Sequence, residues 1–116
     1  MKFTRGTDKE TWGKTGGVGR LPSLTYDEIV EAIGEPEILN ADKVKAVWVL
    51  KLGNIMATIY DYKSKVDPRN NTFWHVGGNK GPTSFLLAIG AIRGHGTFEL
   101  IFSHRIFDGM DERYLK

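Results

Sequence analysis

The chain has 116 residues, 41% hydrophobic and 26% charged, with 16 Lys and Arg against 14 Asp and Glu for a net charge of +2. That length suits one domain, the apolar share excludes wholesale disorder, and the near balance of charge demands no nucleic-acid partner. The absence of Cys excludes disulfides, thiolate metal sites and thiol nucleophiles.

No apolar run approaches the roughly 20 residues of a membrane span, so no membrane partner is expected. The opening Met1-Lys2-Phe3-Thr4-Arg5-Gly6 has no apolar leader core, which points to the cytoplasm.

Residues 1–22 show neither helical nor strand period, because Gly6, Gly13, Gly16, Gly17 and Gly19 interrupt every candidate element. They read as a Gly-rich arm made basic by Lys2, Arg5, Lys9, Lys14 and Arg20, followed by a single α+β domain over 23–116. Trp12 either anchors this arm or sits on a loose terminus. Segment 27–42 is the acidic counterweight, with Asp27, Glu28, Glu31, Glu35, Glu37 and Asp42. Arm and acidic segment can pair within one protomer, pair between protomers, or stay separately solvated.

Thr25 and Glu28 have capping-box spacing, and Tyr26, Ile29, Val30 and Ile33 form one apolar stripe. Gly34 and Pro36 end the pattern, which predicts a helix over 26–33. Residues 44–52 and 55–62 alternate as strands around Gly53-Asn54, a hairpin turn. Trp48 shares one face with Ala46 and Leu50. Asp61 falls on the face of Ile55, Ala57 and Ile59, while Met56, Thr58, Tyr60 and Tyr62 take the other.

After a polar loop, Thr72–Val76 predicts a third strand and the apolar run Phe85–Ile92 a buried helix. Alternation over 97–107 predicts a fourth strand, and Asp108-Gly109 a turn. The fold expected is α+β, an antiparallel sheet of about four strands with two short helices on one face and a Gly-rich N-terminal arm. Helix, Gly-Glu-Pro and hairpin in that order resemble small outer-membrane assembly lipoproteins in topology alone, since this chain has no lipidated Cys.

Gly13-Lys14-Thr15 ends like a phosphate-binding P-loop, but Asp8 stands where that motif needs its first Gly. A stronger candidate is Trp74-His75-Val76-Gly77-Gly78-Asn79-Lys80-Gly81-Pro82-Thr83-Ser84. Its glycines would let backbone approach a ligand, Thr83 and Ser84 open a helix whose free N–H groups suit an anion, and Lys80 adds charge. Trp74 or Tyr60 and Tyr62 would stack on a base, and Asp61 would accept hydrogen bonds from the ligand. Arg20, Lys14 or Arg5 would close over phosphates. The competing reading is a glycine turn with Thr83 or Ser84 capping the helix, Trp74 in the core and Asp61 capping a loop. His75, His95 and His104 lack metal-site spacing.

Tyr26-Asp27-Glu28-Ile29-Val30, Ile33-Gly34-Glu35-Pro36, Ala57-Thr58-Ile59-Tyr60-Asp61-Tyr62-Lys63 and Trp74-His75-Val76-Gly77-Gly78 together resemble a set of small bacteriophage-encoded proteins, over about residues 24–78. The resemblance implies a viral context, with counter-defence in the infected host cell among the expected roles. The function expected is a binding protein, not an enzyme and needing no cofactor. It would be a homo-oligomer that sequesters a phosphorylated small molecule such as a signalling nucleotide. The alternatives are an inhibitor of a host defence protein, acting through a sheet face or segment 27–42, and a nucleic-acid binder acting through the arm.

Overall fold

The computed structural model describes residues 3–93. The strand expected over 97–107, the Asp108-Gly109 turn, His95 and His104 lie outside them. In chain order the elements are β1 (Thr4–Arg5), a 3-10 turn (Asp8–Thr11), β2 (Gly16–Pro22), α1 (Tyr26–Ile33), β3 (Glu37–Ile38), β4 (Ala46–Leu52), β5 (Ile55–Tyr60), a second 3-10 turn (Pro68–Asn70), β6 (Phe73–Gly78) and α2 (Pro82–Arg93).

The fold is α+β: six antiparallel strands with two helices packed on the sheet. Strand order is β1-β4-β5-β6-β2, and β3 shares the outer edge of β4 with β1. β3 pairs at Ala46 and Val47, β1 at Leu50 and Lys51. The sheet is therefore wider than the expected four strands, and two of the extra strands come from the segment read as a Gly-rich arm without strand period.

β2 is the longest strand in that segment. It pairs with β6 from Gly16↔Gly78 to Pro22↔Phe73, with a register shift between Gly17 and Gly19. A bulge adds one residue to a strand and breaks its two-residue side-chain period. Val18 and Leu21, an odd number of residues apart, accordingly both reach the core, at 2% and 7% exposure.

The rest of the segment is tied down by polar contacts. Arg5 donates to the carbonyls of Ile33 at 2.6 Å and Glu35 at 2.8 Å, placing a cation at the C-terminal end of α1 where the helix dipole favours it. Lys51 and Glu10 form an ion pair at 2.6 Å. Trp12 does not serve as the anchor: it is 66% exposed, its indole donating to Asp8 Oδ2 at 3.0 Å.

α1 spans the residues its pattern predicts. The Glu28 amide donates to Thr25 Oγ1 and the Thr25 amide to Glu28 Oε1, both at 3.1 Å, and Gly34 ends the helix at φ 89°. The β4–β5 hairpin pairs Leu52 with Ile55 across Gly53-Asn54, as the sequence predicts. α2 begins earlier than its apolar run, at Pro82, because proline suits a first helical turn that has no use for its N–H. The core lies between the helices and one sheet face, where Ile29, Ile33, Phe85 and Ala88 meet Trp48, Leu50, Ile59, Trp74 and Val76. Among the described residues no helix is long and apolar enough to cross a membrane.

Candidate ligand-binding face of the sheet

The loop singled out in the sequence is a clasp. A Cβ at Gly78 would overlap the Ser84 side chain and come within 2.9 Å of the Met56 carbonyl. Gly78 therefore serves the close approach of α2 to the sheet. Ser84 is wholly buried and its hydroxyl accepts from the Lys80 amide at 2.9 Å. The Thr83 amide donates to Lys80, and those of Ser84 and Phe85 to Gly81. The first N–H groups of α2 are thus taken by its own turn, leaving Thr83 and Lys80 exposed at its rim. Asn79 completes the clasp, accepting from the Met56 amide at 2.7 Å and donating to the Asn54 carbonyl at 2.8 Å.

Two more expected ligand residues are committed to structure. Trp74 is wholly buried, its indole donating to the Leu24 carbonyl at 2.8 Å, so it has no face for a base. Asp61 is 1% exposed and its Oδ1 accepts from the amides of Lys45 and Ala46 at 2.9 and 3.0 Å, capping the start of β4. Arg5, held by the α1 carbonyls, is likewise engaged.

What the fold does bring together is Tyr60, His75 and Arg20. Tyr60 pairs with His75 across β5 and β6, and His75 with Arg20 across β6 and β2. All three alternate with core residues, so they share the sheet face turned away from the helices. The Tyr60 and His75 rings stack with centroids 5.8 Å apart and planes at 23°. Tyr62 and Phe73 meet His75 edge-on at 5.4 and 5.5 Å. Phe73 is 46% exposed and Tyr62 41%, with Lys63 Nζ 5.3 Å from the Tyr62 ring centre. The result is an open shelf of four rings with cations at its margins.

Partial burial, reinforced by the nearby Arg20 charge, lowers the His75 pKa below the ordinary imidazole value. Burial, then the neighbouring Tyr62, raises that of Tyr60. The imidazole is held neutral and the phenol protonated, so the pair stacks as uncharged rings near neutral pH.

Tyr60 also borders a cavity of about 190 Å³ between this face and the segment that crosses it, lined by Asp8, Thr11, Thr15, Val47, Thr58 and glycines 16, 17 and 77. Thr58 is 4% exposed, and its hydroxyl has no hydrogen-bond partner among the described residues. Gly77 makes room for it: a Cβ there would stand 2.6 Å from Thr58 Oγ1.

The sequence named Tyr60, Tyr62, His75 and Arg20, but it put them beside a loop and not across a sheet. Phe73, Thr58 and Asp8 were missed. Phe73 was within reach, since it alternates with His75. An unpartnered hydroxyl leaves no trace in sequence. Among the described residues no three His, Asp or Glu side chains cluster to hold a metal. Comparison with protein-family models, curated proteins and solved structures finds no match to this chain.

Proposed function

We propose that this chain is a binding protein for a phosphorylated, base-bearing small molecule, a nucleotide in the broad sense, received on the outer sheet face. The observation that carries this reading is the shelf of Tyr60, Tyr62, Phe73 and His75 beside Arg20. Aromatic faces stack on bases whatever their sequence, each contact being worth about 1–3 kcal/mol. A guanidinium pairs with phosphate through two parallel hydrogen bonds. Arg20 is exposed, and its contribution to the lowered His75 pKa marks a positive field that a phosphate would neutralise.

The test is an amide-shift titration of the intact protein with the four ribonucleoside 5′-monophosphates and with cyclic di-AMP and cyclic di-GMP. Saturable shifts at Tyr60, Tyr62, Phe73 and His75, weakened about tenfold or more by Arg20→Ala and Tyr62→Ala, are expected. Flat titrations with all six probes, or shifts confined to other parts of the chain, overturn the reading.

A further inference from the structure

We infer that the cavity beside Tyr60 is a sugar site, which receives the hydroxyl-bearing ring of the ligand whose base lies on the aromatic shelf. The inference rests on the proposed function and adds to it the part of the ligand that the cavity selects.

Thr58 Oγ1 is the starting point. A buried hydroxyl without a partner destabilises the folded state, and a valine would fill the same space without that cost. This one lines a cavity with room beside it. Thr11 and Thr15, across the cavity on the segment that crosses the sheet, have already donated their hydroxyl protons to the carbonyls of Asp8 and Thr11. Asp8 holds the Trp12 indole on Oδ2, which leaves carboxylate lone pairs for further donors.

The lining therefore offers a hydroxyl that can give or accept and a carboxylate that accepts, with no cationic side chain among the described residues. That chemistry repels phosphate and suits a group carrying two hydroxyls, in the way an acidic residue takes the ribose of a dinucleotide. Beside Thr58 on the sheet wall, Val47 and the Tyr60 ring suit the carbon face of a sugar.

Size supports the same assignment. At about 190 Å³ the cavity is smaller than the roughly 300 Å³ at which pockets for whole ligands begin, so it takes one ring of a ligand and not all of it. Tyr60 belongs both to the shelf and to the cavity wall. Arg20 stands two strands from Tyr60, about 10 Å at ordinary strand spacing, a span one nucleotide can bridge.

The experiment is calorimetric titration of the intact protein and its Thr58→Val variant with the four ribonucleoside 5′-monophosphates and their 2′-deoxy counterparts, alongside a melting curve for each protein. The ribo series is expected to bind about tenfold more tightly than the deoxy series. Thr58→Val should bring ribo affinity down to the deoxy level with an unchanged or raised Tm, because it removes an unsatisfied hydroxyl and keeps the shape. Equal binding of the two series, with dependence on Arg20 intact, overturns the sugar assignment, leaves the shelf standing and makes the cavity a water site. Binding of neither series overturns the sugar assignment, and overturns the shelf as well when cyclic di-AMP and cyclic di-GMP also fail to bind. A Thr58→Val protein that keeps the ribo preference also overturns it.

Discussion

Trp48 and Trp74 meet edge-on with ring centres 5.2 Å apart, and each donates its indole N–H to a carbonyl at an opposite end of the same helix. Trp74 reaches Leu24, just before α1, and Trp48 reaches Gly34, just after it, at 2.8 and 2.7 Å. Tyr26 closes the group, 5.7 Å from Trp48. The sheet thus fixes both position and direction of α1 through two adjacent side chains. Replacing either indole by Phe keeps an aromatic ring but leaves a small void and an unpaired carbonyl. Each of Trp48→Phe and Trp74→Phe should destabilise the fold by about 2–4 kcal/mol, read as a shift in urea midpoint. A change under about 0.5 kcal/mol would show that packing alone seats the helix.

His75 makes stability depend on pH. Its folded pKa lies below the unfolded value near 6.5, so the unfolded chain takes up the proton first. Stability is then full above about pH 6.5 and falls as acid approaches the folded pKa, below which the loss is complete. Among the described residues the groups facing it are the Tyr60, Tyr62 and Phe73 rings and Arg20, with no carboxylate that would reverse the sign. Melting curves between pH 7.5 and 5 should show a smaller acid loss for His75→Gln than for the parent. Identical slopes would refute this assignment, and taking the difference removes contributions from the other histidines.

Gly78 and Ser84 define a packing limit. Gly78→Ala forces a methyl into the Ser84 side chain and the Met56 carbonyl, an overpacking that should cost about 1–3 kcal/mol or more. Ser84→Gly removes that obstruction but strands the Lys80 amide that Ser84 accepts from. The double variant should be less destabilised than the sum of the two single ones, by about 1 kcal/mol in a double-mutant cycle. Simple additivity would mean that the backbone of β6 shifts instead.

How much of this the sequence disclosed depended on whether a side-chain period could express itself. α1 and the β4–β5 hairpin were legible because capping residues, an apolar stripe and clean alternation all agree. β2 was hidden twice over: Gly16, Gly17 and Gly19 carry no side chains to alternate, and the bulge puts Val18 and Leu21 out of phase. β1 and β3, at two residues each, are too short to show any period. The ring shelf follows from β5 and β6 alternation already present in the sequence, but its partner Arg20 could be seated beside it only through the unread strand. Asp61 was legible as a carboxylate ending an apolar row. Its two amide donors, sixteen and fifteen residues back, were not.

The pairing of β2 with β6 also imposes a wait during synthesis. β2 leaves the ribosome first among its partners, and roughly fifty residues must follow before β6 exists to receive it. At about 5–20 residues per second that interval lasts about 3 to 10 s. A strand idle for so long is exposed to wrong partners. Glycines of low strand propensity, the charged Arg20 and Pro22, which cannot donate to a ladder, all make it a poor template for another chain. The composition that conceals β2 from a reader of the sequence also conceals it from other nascent chains, until β6 arrives.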